Sequence, residues 1–144
     1  MSRLRRAALA LGRQGAGRKP ALRLPSLWLV TDPARTSDPV AAAARLPRGA
    51  GVIYRSFGAA DALATGRTLR RVATRKGLVL LVGADATLAA ACKADGVHLP
   101  ERGMQRAIAL RRAHPGWRIT AAAHDRFIRS ALHAAARPGQ TARR

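Results

Sequence analysis

LVLLVGADATLAAACKADGVHLPE, residues 78–101, carries the pattern that decides the fold. LVLLV (78–82) is an unbroken apolar run of strand length. Asp85 can cap the small-residue segment ATLAAACKA (86–94), which reads as a helix. GVHL (96–99) is then a second strand. A strand, a helix and a strand in that order imply parallel strands joined by a right-handed crossover. Within GVHL, Val97 and Leu99 flank His98, so the pleat turns His98 to the opposite sheet face from its neighbours. A lone histidine between apolar residues is ordinarily a satisfied core or rim residue.

The same rhythm extends in both directions. LWLV (27–30) is a short apolar run ending at TDP, and Asp38-Pro39 places an N-cap and a first-turn proline before VAAAARL. GVIYR (51–55) is the next strand, followed by a helix over 61–76 that Gly77 stops. Residues 101–113, with Ile108 and Leu110 among arginines, read as a helix ending at His114-Pro115-Gly116. WRITAAA (117–123) is the fifth strand, with a last helical stretch around 126–136. Five strand–helix units at a spacing of roughly 20–25 residues predict a parallel α/β fold. The nearly continuous apolar strands agree with a sheet buried on both faces. Periodicity alone leaves open sheet and barrel undecided.

A length of 144 residues suits one domain but is short for a complete α/β barrel. Apolar content of 48% with only 3% aromatics implies a core built from Ala, Leu and Val. A net charge of +20, from 27 basic and 7 acidic residues, is the usual footprint of an anionic partner. Here nucleic acid is not the expected partner. The basic charge gathers at the ends of the chain, nothing acidic follows Asp125, and aromatics for stacking bases are scarce. Residues 1–25 are Arg-rich and acid-free and read as a disordered basic tail, or as a start placed too far upstream. The expected organisation is that tail, a β/α domain over 26–137, and a basic C-terminal tail over 138–144. Cys92 is the single cysteine, which excludes a disulfide framework and a multi-cysteine metal site. No apolar stretch has the length of a membrane span, so no membrane partner is expected and the cytoplasm is the default location.

LWLVTDP (27–33), the stretch 78–101 and RITAAAH (118–124), in this order and spacing, resemble thiamine phosphate synthases and the related TenI-type thiazole tautomerases. The resemblance covers about residues 26–125, and ADGVHL is its most specific part. It implies a (β/α) barrel of the TIM type, with five of the eight units present here, and a site at the C-terminal ends of the strands. It also implies a synthase that joins a pyrimidine diphosphate to a thiazole phosphate with Mg²⁺, in the biosynthesis of thiamine (vitamin B1). The expected partner is therefore a small phosphorylated thiamine precursor.

Position by position, the chain departs from the family pattern. Where the family offers Gln, Arg and Lys on the second strand, Ile53, Arg55 and Phe57 stand here, so only Arg55 survives. Gly83-Ala84 replaces an Asn-Asp whose aspartate binds Mg²⁺, with Asp85 one residue late. The second metal carboxylate falls on Gly103, with Glu101 displaced. Ala122 replaces the serine of the fifth-strand Ser-x-His signature, and His124 keeps its histidine. The resemblance thus points to Arg55 and His98 as substrate-binding residues and His124 as the catalytic one, suited to moving a proton near neutral pH. No metal site and no cofactor is expected to be retained. Asp32 reads as a loop or cap residue, and His114 and His133 as solvent-facing.

Three readings follow. One is a thiamine-biosynthesis protein, a synthase or tautomerase by descent and impaired as a synthase. Another is a non-catalytic barrel remnant acting as a homo-oligomer or with a partner. The third is a small basic nucleic-acid-binding protein.

Overall fold

Asp38, Gly77 and Asp85 set the helix boundaries. The computed structural model describes residues 24–122. Asp38 Oδ1 accepts the Ala41 N–H at 2.9 Å, and helix α1 runs from Pro39 to Ala44. Helix α2, Ala62–Lys76, ends where Gly77 enters the left-handed region at φ 67°, a conformation glycine adopts without a Cβ clash. Asp85 Oδ1 accepts the Leu88 N–H at 2.8 Å and opens helix α3, Ala86–Ala91. That helix stops short of Ala94 because Lys93 takes a positive φ of 56° and turns the chain towards the next strand. The single helix expected over 101–113 is two elements instead. Pro100 leads into a 3₁₀ helix, Glu101–Arg106, and helix α4 is Ala107–Ala113. The helical stretch expected around 126–136 lies outside the described residues.

Five strands alternate with these helices: β1 Trp28–Val30, β2 Gly51–Tyr54, β3 Val79–Gly83, β4 Gly96–Leu99 and β5 Arg118–Ala121. Each pairs in parallel with the next, in the order β1-β2-β3-β4-β5. A doubly wound sheet reverses its strand order at a switch point, whereas a barrel advances in one direction. The order here never reverses. The described residues are consecutive units of a barrel-type α/β fold.

The pleat divides the strands into two faces. Val52, Tyr54, Leu80, Val82, Val97 and Leu99 join Ala43, Leu69, Val72, Ala73, Leu88 and Cys92 in the core between sheet and helices. Each fully buried Leu or Val there contributes about 1.5–3 kcal/mol relative to exposure. Cys92 is the small buried hydrophobe its setting implies, and burial pushes its thiol pKa up. Leu81 and Ile53, also buried, sit outside that core because they point to the other face. By the same alternation and register, Gly83, Gly96, His98, Arg118 and Thr120 share the face of Leu81.

The segment 94–99 ties the units together. The Asp95 carboxylate accepts the Leu80 N–H of β3 at 2.8 Å and pairs with Arg70 of α2 at 3.1 Å. The backbone carbonyl of Asp95 accepts the Arg118 N–H at 2.8 Å, which starts β5. One residue thus holds β3, α2 and β5 in place. Gly96 follows because the β5 backbone passes against it: a Cβ there would lie 1.8 Å from the Arg118 carbonyl oxygen. At the opposite end of α4, His114 is not the solvent-facing residue that the sequence suggests. It is half-buried and stacks on Trp117 with ring centroids 3.6 Å apart and planes within 6°. His133 lies outside the described residues.

Candidate functional site

A cavity of about 690 Å³ opens at the C-terminal ends of the strands. Its lining comes from the turns after β2, β3 and β4, which the parallel order brings to one end of the sheet. Arg55, Phe57, Ala84, Asp85, His98 and Arg106 supply the chemistry of its walls.

Arg55 follows β2 directly. Its N–H donates to Thr31 Oγ1 at 3.0 Å, and Thr31 is itself buried and donates its own N–H to the Ile53 carbonyl. The arginine stem lies over Gly83, where an added Cβ would come 2.9 Å from Arg55 Cγ. The guanidinium carbon sits 4.6 Å from the centroid of the Phe57 ring, a cation–π arrangement. Phe57 is 68% exposed and holds a positive φ of 48°. A left-handed conformation costs a non-glycine residue roughly 1–2 kcal/mol. Ala84, in the same lining, has φ 60°. Strain of this kind gathers at ligand sites because the surrounding structure holds it in place.

His98 faces the cavity, on the opposite face from Val97 and Leu99 as the alternation of β4 implies. Its Nδ1 lies 2.8 Å from Thr120 Oγ1, the residue paired with it across β4 and β5. Burial lowers its pKa below the ordinary histidine value, and the positive charge of Arg55 lowers it further. The ring is therefore neutral at physiological pH. This has a consequence for stability. The folded protein resists protonation of His98, whereas the unfolded chain takes a proton near pH 6.5. Below that pH the unfolded state binds more protons, so stability falls as pH drops from about 6.5 towards the lowered folded value. His98→Gln is expected to flatten this part of the profile in thermal melts across pH 5–8. An unchanged slope would show that His98 does not titrate as its surroundings dictate.

The structure brings together two of the three residues singled out by sequence, Arg55 and His98. His124 lies outside the described residues, although Ala122, two positions before it, reaches the cavity wall. Asp85 is both cap and lining residue. Asp32 is the turn residue expected: its Oδ1 accepts the Ala34 N–H at 2.9 Å. Arg106 was not visible from the sequence as a site residue, because a continuous helix over 101–113 gives no reason to single it out among several arginines. The short 3₁₀ turn after Pro100 is what carries it back to the cavity.

The lining does not fit a Mg²⁺ ion. Magnesium requires carboxylate oxygens converging on an octahedral site. Ala84 and Gly103 carry none, and among the described residues Asp85 is the cavity's sole carboxylate, with one oxygen committed to the helix cap. Among the described residues no group of three His, Cys, Asp or Glu side chains converges to hold a metal.

Consecutive parallel β/α units with an arginine-lined cavity at the strand ends define a barrel-type α/β protein. The chain belongs to the thiamine monophosphate synthase family, whose model matches residues 27–138. Among solved structures it is similar to a thiamine phosphate pyrophosphorylase from Pyrococcus furiosus, at 22% identity and a TM-score of 0.61. That similarity covers 81% of this chain and 56% of the other, so the chain spans little more than half the length of that enzyme. No curated protein matches. The family is named for an enzyme of thiamine biosynthesis. No helix of the described residues is long and apolar enough to cross a membrane.

Proposed function

We propose that the cavity binds a phosphorylated thiazole or pyrimidine precursor of thiamine, in the cytoplasm, and that the chain is impaired as a synthase. The observation that supports this reading is a cavity at the strand ends lined by Arg55 and His98, with no converging carboxylates among the described residues. In this reading Arg55 takes the anionic group, and neutral His98, fixed by Thr120, offers a hydrogen bond to the heterocycle. His124 is the proton-moving residue if tautomerase chemistry persists.

Titration of the ¹⁵N-labelled chain with thiazole phosphate tests the proposal. The expected result is saturable shift changes at Gly83, Ala84 and His98, with none around Gly116. Dephosphorylated thiazole should bind at least about tenfold more weakly, since a charge-assisted pair is lost. Equal affinity for both ligands, or shifts scattered over the basic surface, would count against the site.

The missing metal carboxylates at Ala84 and Gly103 also favour a second reading, in which the chain is a non-catalytic member that acts by self-association or with a partner. Sedimentation across protein concentration distinguishes it: a monomer at all concentrations removes the self-association form.

A further inference from the structure

The cavity has an unusual charge inventory for a diphosphate-handling site. Among the described residues two arginines, Arg55 and Arg106, line it with one carboxylate, Asp85, and that carboxylate is partly committed to the Leu88 N–H. Arg106 stands beyond Gly103 on the 3₁₀ turn and lines the cavity, so an arginine comes from the segment where a metal carboxylate would otherwise be sought. Arg55 is held ready by three independent features: the Thr31 hydroxyl on its N–H, the bare Gly83 beneath its stem and the Phe57 ring against its guanidinium. Phe57 keeps a left-handed backbone at the mouth of the cavity while presenting that ring.

From this arrangement we infer that the cavity holds a phosphate or diphosphate group directly between Arg55 and Arg106, with no divalent metal ion. A guanidinium offers a planar fork of donors that matches phosphate oxygens and is always charged. A metal-bridged site needs converging carboxylates to recruit the ion, and among the described residues none converge, whereas an arginine pair neutralises the anion on its own. Phe57 is a positioning residue: its ring limits the freedom of Arg55, so less entropy is lost when the anion binds. The neutral state of His98 leaves Arg55 and Arg106 as the cations among the described lining residues.

This inference rests on the proposed binding of a phosphorylated ligand, and calorimetry can separate the two. Inorganic pyrophosphate and thiazole phosphate are titrated into the full chain in EDTA and again in Mg²⁺. Affinities for both ligands are expected to agree within about twofold between the two buffers. Arg106→Gln and Arg55→Gln are each expected to weaken binding at least about tenfold. Phe57→Leu should weaken it severalfold, and Arg112→Gln, on α4, should leave it unchanged. Circular dichroism confirms that each variant is folded, and Arg→Lys at either position is expected to recover part of the loss by restoring the charge. Binding that requires Mg²⁺, or binding indifferent to Arg106→Gln, overturns the inference even if thiazole phosphate is a ligand. Pyrophosphate binding that is metal-free and Arg106-dependent, with no preference for thiazole phosphate over a simple phosphomonoester, leaves the inference standing and removes the thiamine reading. Absence of any binding removes both.

Discussion

Gly96→Ala is expected to destabilise the domain by about 3 kcal/mol, at the upper end of the usual overpacking range. The added methyl group would sit 1.8 Å from the Arg118 carbonyl oxygen and 2.7 Å from the Arg118 backbone nitrogen. Both contacts are to backbone, so no side chain can swing aside. Relief requires β5 to move away from β4, which breaks the pairing that aligns His98 with Thr120. For a domain of about 100 residues, such a loss lowers Tm by roughly 15 °C. Thermal unfolding followed by circular dichroism measures it, with Gly116→Ala as the control, since nothing lies within 4 Å of that position. A Gly96→Ala protein melting within a degree or two of its parent would mean that the β4–β5 junction is looser than described.

The purified chain should release almost no pyrophosphate from a pyrimidine diphosphate in the presence of thiazole phosphate and Mg²⁺. Losing the metal's stabilisation of a developing diphosphate charge costs several kcal/mol, which corresponds to at least about a thousandfold in rate. The two positions that matter can be altered. Ala84 already has φ 60°, a conformation that aspartate tolerates better than alanine. At Gly103 a Cβ would meet the Pro100 ring at 3.3 Å, so a side chain requires that ring to shift by a few tenths of an ångström. The double change Ala84→Asp with Gly103→Asp is therefore expected to fold and to acquire Mg²⁺ affinity that the parent lacks. Turnover by the unaltered chain at a rate strongly dependent on Mg²⁺ would show that other groups recruit the ion.

The strands and their order along the chain were legible because apolar runs bounded by Asp, Pro and Gly state their own limits. GVHL matches β4 residue for residue, and Asp38 and Asp85 cap the helices that follow them. Periodicity does not give the sheet type, since open and closed parallel sheets demand the same local pattern; the family resemblance is what implies a barrel. Only the pairing partners, which are long-range, separate the two. Arg55 and His98, to which the family resemblance points, both line the cavity, as their places at the end and in the middle of apolar strands imply. Arg106 was not legible, because its direction depends on a 3₁₀ turn rather than on an alternation. Asp95 was overlooked for a related reason. Its carboxylate contacts β3 and α2, both distant in sequence, and its neighbours give no sign of either partner.

The one-directional strand order has a consequence for how the chain acquires its structure. Each described strand after β1 pairs with the strand one unit earlier, so each of these units, once synthesised, finds its template already present. Loop closure never spans more than one β/α unit at a time, which keeps the entropic cost of each step small. Assembly can proceed from the N-terminal side in the order of translation, with β1 and β2 seeding β3 and its neighbours. Asp95 then acts as a latch in time as well as in space. Its carboxylate can engage β3 and α2 as soon as β4 begins, and the carbonyl it fixes is the one that receives β5.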